Sequence, residues 1–287
     1  MSENKKLPRR RAISEAEIDA EERALERAVQ DPKLIEGVYN YCDRWCERCP
    51  LTARCLLFKL DRGRPARRGA GSSERQSQDL HNEEFWDELA TSFALAMRVI
   101  RREAKKRGID FDAPGALANA EETARARREH AAREGRVLHR SAVAYIKTAK
   151  ALMDRLPEEM AEIEQALATQ VRLGAGNPHA VAAEIRDAWQ VVQWYLWMVD
   201  VKLQRAFSSR VSHALEAPGT STRDADGSAK VALIAIDRSI AAWARLRSHF
   251  SGEADAILDL LVQLDRLRHA AERDFPHARA FKRPGFD

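Results

Sequence analysis

Glycine and proline are scarce in this sequence, at 13 and 10 of 287 residues. So few chain-breakers leave no room for the regularly spaced turns of an all-β sandwich or barrel. No apolar run approaches the ~20 residues that a membrane-spanning helix needs. The opening residues, MSENKKLPRRRA, lack the apolar core of a secretion signal. The expectation is therefore a cytoplasmic protein with no membrane attachment. Several motifs are missing as well. There is no Walker loop, no G-x-G-x-x-G and no nucleophile elbow. No E-x-x-H occurs, which excludes the paired E-x-x-H ligands of a ferritin-like di-iron bundle. Net charge is only +4, so overall charge alone does not call for a nucleic-acid partner.

Cysteine is absent from the whole chain except one stretch, Tyr39–Leu60. There Cys42, Cys46, Cys49 and Cys55 stand in the pattern C-x3-C-x2-C-P-x4-C. A disulfide framework would spread its cysteines to tie distant segments together. Thiols clustered in this way suit convergence on one inorganic centre. Cys42 and Cys46 are four apart, so a helical turn would set both sulfurs on one side. Cys46 and Cys49 form the short C-x2-C step of thiolate sites. Pro50 suits the first position of a new helix, which would carry Cys55 back toward the other three. Tyr39, Tyr41, Trp45, Leu51, Leu56, Leu57 and Phe58 would supply an apolar coat.

The segment Cys46-x2-Cys49-Pro50-x4-Cys55 resembles that of WhiB-like iron–sulfur proteins. Those are small helical proteins that hold a [4Fe–4S] cluster on four cysteines. The resemblance implies cluster ligation by Cys46, Cys49 and Cys55, with Cys42 as the fourth ligand. The Gly-Trp-Gly-Gly turn expected after the cluster in that family is absent here, so its role in transcription is not carried over. Zn²⁺ on the same four sulfurs is the alternative, although only one C-x2-C knuckle is present.

What is abundant is Ala, Arg, Glu and Leu, the composition of an all-α protein. Residues 1–13 read as a disordered basic arm. Residues 14–60 read as N-terminal helices carrying the four-cysteine site. Residues 61–81 are rich in Arg, Gly and Ser, and read as a linker. Residues 82–287 read as a multi-helix bundle. Ser14-x-x-Glu17 is a capping box. Asp31-Pro32 reads as the start of a helix leading into the cysteines. Phe85, Trp86, Leu89, Phe93, Met97 and Ile100 form an apolar stripe at helical spacing. Val143, Ile146, Ala149 and Met153 form another, expected to face inward. Asn177-Pro178 opens a helix expected to run to about residue 217. Its uncharged middle, Ala188–Val199, includes Trp189, Trp194 and Trp197 and reads as the long buried central helix of the bundle.

Polar residues bracket that segment and the next. A network joining Asp187, Asp200, Lys202, Lys230 and Asp237 is expected, since buried charge must be paired. Such a network is either structural or the wall of a pocket. Asp265, His269 and Glu272 share one helix face, expected to be solvated. The favoured function is a [4Fe–4S] protein of redox-sensing or regulatory type rather than an enzyme, with an unidentified protein partner. Three alternatives stand beside it: a zinc-binding interaction module, an enzyme using the polar pocket, and a nucleic-acid-binding regulator using the basic arm and Arg62, Arg64, Arg67 and Arg68.

Overall fold

Helix boundaries follow local chemistry. The Asn177 side chain accepts a hydrogen bond from the Ala180 N–H at 3.2 Å, and Pro178 takes the first helical position. Gly174 ends the preceding helix at φ 65°, a left-handed conformation that side chains resist. The computed structural model describes residues 14–63, 83–110, 113–215 and 223–287. The expected basic arm and all but the first three residues of the expected linker lie outside them. The described residues form ten α-helices and no β-strand. The protein is all-α.

The chain divides into two compact units. The first comprises Met1–Tyr39 and Cys46–Glu122; the second comprises Asn40–Trp45 and Thr123–Asp287.

In the first unit, α1 (Glu15–Val29) packs against α2 (Leu56–Gly63) and α3 (Glu83–Lys106), and Ile18, Val38 and Ala104 are buried. Charge binds α1 to α3. Arg98 pairs with Glu15 and Asp19, and Arg102 with Glu22 at 2.5 Å and Glu26 at 3.1 Å. Exposed pairs of this kind contribute little individually. Phe93, Met97 and Ile100 do not face inward as their spacing suggested: Phe93 is 63% exposed, and the other two are also exposed.

Between α1 and α2 the chain departs from expectation. No α-helix starts at Pro32 or Pro50. Residues 30–55 form turns and three short 3₁₀ segments, Val38–Asn40, Cys46–Arg48 and Thr52–Arg54. One long-range backbone bond, from the Ile35 N–H to the Arg54 carbonyl at 2.9 Å, ties the stretch across itself and takes an amide and a carbonyl that an α-helix would use locally. The other backbone bonds described within it close three-residue turns, such as Leu34 to Asp31 and Cys49 to Cys46.

The second unit holds the larger core. It contains most of α4 (Ala116–Glu134), together with α5 (Arg136–Met153), α6 (Leu156–Leu173), α7 (Pro178–Tyr195), α8 (Met198–Leu215), α9 (Arg223–His249) and α10 (Ala254–Asp274). The helix expected over residues 177–217 is broken at Leu196–Trp197 into α7 and α8. The break leaves Leu196 and Val199 buried but turns Trp197 outward, 56% exposed. The central helix is instead α9, which packs against α7, α8 and α10. Its consecutive residues Val231, Ala232 and Leu233 are all buried, so it is enclosed on every side there. Its alanines, among them Ala229, Ala232, Ala235 and Ala242, allow neighbouring backbones to approach closely. On α5 the inward face is Leu138, Ala142, Tyr145, Ile146, Ala149 and Leu152, while Val143 points to solvent. Trp243 of α9 donates to the Tyr145 hydroxyl at 3.2 Å inside the core. Burial pushes that phenol's pKa up to about 12.

Candidate functional site

The cysteine stretch is the candidate, and its four thiols divide between the units. Cys46, Cys49 and Cys55 belong to the first; Cys42 belongs to the second. None of the four is in a disulfide, and all are partly buried. Among the described residues, no three His, Cys, Asp or Glu side chains gather in a way that could hold a metal ion. The four cysteines are therefore not arranged as a metal site, against the sequence expectation. The physical reason is the missing helices. Cys46 begins a 3₁₀ turn, and Cys55 precedes α2 rather than riding on a helix begun by Pro50. One local feature does suit thiolate chemistry: the Leu51 N–H points at Cys49 Sγ, 3.4 Å away.

Cys42 lies in a short strap, residues 40–45, laid on helices of the second unit. Asn40, Tyr41, Asp43 and Trp45 each have a firm hold on that unit. Arg205 donates to the Asn40 carbonyl at 3.2 Å and to Asp224 at 2.8 Å, and Ser209 also donates to Asp224. The Tyr41 ring meets Phe281 at 4.7 Å. Both rings lie over Gly227 of α9, where a Cβ would collide with them. The tail beyond α10 is thereby in place; Lys230 donates to the Phe281 carbonyl at 2.5 Å and pairs with Asp287 at 2.7 Å.

Asp43 is the centre of the strap. Its carboxylate accepts from the Tyr195 hydroxyl at 2.5 Å, from Arg238 at 2.6 Å and from the Trp45 N–H at 3.2 Å. Its carbonyl accepts from the Trp194 indole at 2.9 Å. Trp45 then stacks on Trp194 with ring centroids 5.1 Å apart and an interplanar angle of 18°. Burial and the neighbouring Asp43 carboxylate hold the Tyr195 phenol far above its ordinary pKa, so it remains a donor. Between Asp43 and Trp45, Arg44 adopts φ 59°, a left-handed conformation uncommon outside glycine. Anchors on both sides hold it there.

Cys42 is held beside Lys202, which is only 8% exposed. Burial pushes the Cys42 thiol pKa up. Burial, with Arg205 also close, holds the Lys202 ammonium below the usual lysine range.

The other expected polar residues do not meet. Asp187 lies 3.6 Å from Arg245. Asp200 pairs with His139 at 2.8 Å and accepts from Gln204 at 2.6 Å. Asp237 pairs with Arg279 at 2.5 Å, and Lys230 holds the tail. The expected network is thus a set of separate local pairs. His269 bonds back to its own helix at the Asp265 carbonyl, 2.9 Å away, on an exposed face.

Asp43, Tyr195 and Arg238 were not singled out as one group by sequence reasoning. They are far apart in the chain, and no short-range spacing announces them. Tyr41 and Trp45, expected as an apolar coat for a metal, are instead committed to Phe281 and Trp194.

No protein-family model matches the chain, and neither a curated protein nor a solved structure matches it. The functional reading rests on the residues themselves.

Proposed function

We propose that this protein is a thiol-ligated metal protein of regulatory type rather than an enzyme, with a [4Fe–4S] cluster on Cys42, Cys46, Cys49 and Cys55. One observation carries the reading. Every cysteine of the chain falls within residues 30–55, the longest described stretch without an α-helix. The sulfurs are not gathered in the described geometry, so loading requires this stretch to refold around the metal. Its cost includes the anchors of the strap, namely the Asp43–Arg238 pair, the Tyr195 and Arg205 bonds and the Trp45–Trp194 stack. The rest of the stretch is held by scattered hydrogen bonds, each contributing about 1 kcal/mol net. A structural thiolate site releases roughly 10–16 kcal/mol in small zinc domains. That margin is enough to rearrange turns, where it would not be enough to dismantle the α9 core.

Zn²⁺ on the same sulfurs is the second reading, since the donor set serves either centre. Anaerobic purification followed by metal and sulfide analysis separates them. The cluster reading expects a brown protein with about four irons and four sulfides per chain. A colourless protein with one zinc per chain favours the alternative. Protein that takes up neither metal on reconstitution overturns both.

A further inference from the structure

The outer face of α5 carries a pattern that the thiol site does not use. Arg136, Arg140, Val143, Lys147 and Lys150 follow one another at spacings of four, three, four and three residues. This is the spacing of a single stripe along a helix. All five are exposed. Helix α5 contains no Asp or Glu at all. None of its four cations forms an ion pair with a described residue. Asp200 is buried and engaged by His139 and Gln204. Of the acids that flank the helix in sequence, Glu134 is paired with His130 and Arg210, and Asp154 forms no ion pair with these cations. The surrounding sequence has the same sign: eight Lys and Arg stand against two Glu between Arg125 and Met153, in a chain whose net charge is +4. At the end of the stripe stands Trp197, 56% exposed, with the Lys150 ammonium 5.6 Å from its ring centroid.

Unpaired cations in a line with no acid among them leave uncompensated positive potential. The stripe extends over about 20 Å of helix. The Lys150 ammonium makes a favourable cation–π contact with the Trp197 ring, and more than half of that side chain stays open to a ligand beside the cations. The two features together match one class of ligand. Cations track a phosphate backbone, and a flat indole receives an unpaired base. An acidic polypeptide would use the charges but not the ring face, and duplex DNA keeps its bases stacked away from it. We infer that the α5 stripe with Trp197 binds single-stranded nucleic acid. This site is independent of the cysteines and stands whether or not they hold a metal.

The test uses the full chain and a fluorescein-labelled oligothymidylate of about a dozen nucleotides, read by fluorescence anisotropy. With four phosphate contacts, affinity falls roughly fiftyfold between about 50 and 200 mM salt. Replacing Lys147→Gln and Lys150→Gln together weakens binding about tenfold or more and flattens the salt dependence. Trp197→Ala weakens single-strand binding roughly tenfold but leaves the weaker binding of a duplex of equal length unchanged. Circular dichroism and thermal melting of each variant show that these surface changes leave the fold intact. Three results overturn the inference: no binding at low salt, binding unaffected by the Lys147→Gln/Lys150→Gln variant, or Trp197→Ala weakening duplex and single strand equally. Polyglutamate competing as well as the oligonucleotide, in a manner insensitive to Trp197→Ala, would also reject it in favour of an acidic protein ligand.

Discussion

A single carboxylate, Asp43, fixes where Cys42 lies. Removing it leaves the buried Tyr195 phenol without its acceptor and takes the ion pair from Arg238, whose half-exposed guanidinium stays hydrated. Asp43→Ala is expected to lower stability by roughly 1–3 kcal/mol. Tyr195→Phe should cost less, about 0.5–1.5 kcal/mol, because Arg238 still satisfies the carboxylate. Urea titrations followed by tryptophan emission would report both, and the loosened Trp45–Trp194 stack should shift the native emission of the Asp43 variant. Asp224 gives this anchor a pH dependence. Burial raises its pKa, but donors Ser209, Tyr41 and Arg205 outweigh that, and the net shift is downward. A carboxylate with a folded pKa below its unfolded value stabilises the fold fully above about pH 4–5. That contribution disappears as pH falls through the lower, folded value. Asp224→Asn should therefore reduce the slope of stability against pH in the acid limb, measured as melting temperature from pH 6 downward. An unchanged slope would show that Asp224 is not held as described.

At the scale of elements, the helices were legible and their ranking was not. Caps and breakers such as Asn177, Pro178 and Gly174 are local signals, so most helix ends could be read directly from sequence. Centrality is a tertiary property. The Trp-rich, uncharged run at Ala188–Val199 looks more buried than α9, yet α9 is the enclosed helix because its alanines let three neighbours close in. Composition weighs apolar volume, whereas packing here rewards small side chains. Gly227 shows the same logic. As a helical residue it costs about 1 kcal/mol relative to Ala. Its bare backbone, though, makes room for the rings of Tyr41 and Phe281. Gly227→Ala is accordingly expected to destabilise by roughly 1–3 kcal/mol, the overpacking cost exceeding the gain in helix propensity. A stabilised variant in thermal melts would contradict that close approach.

For the molecule as a whole, the thiol motif was legible as a pattern, but its conformation was not. Spacing alone put Cys42 and Cys46 on one helical turn, because a helix is the default meaning of a four-residue interval in an Ala- and Arg-rich chain. The chain spends residues 40–45 differently, on long-range contacts to Tyr195, Arg205 and Arg238 that no local window contains. The same is true of the polar residues: Asp187, Asp200 and Asp237 were read as one network, and each found a neighbour of its own. The central claim is that the cysteine stretch becomes a sulfur cage when metal is supplied. Extended X-ray absorption at the metal edge, on protein reconstituted anaerobically, measures this directly. The account predicts a first shell of sulfur only, near 2.3 Å whether iron or zinc is bound, lost when Cys46 and Cys49 are replaced by serine. A shell of oxygen and nitrogen, or a signal that survives those substitutions, would contradict it.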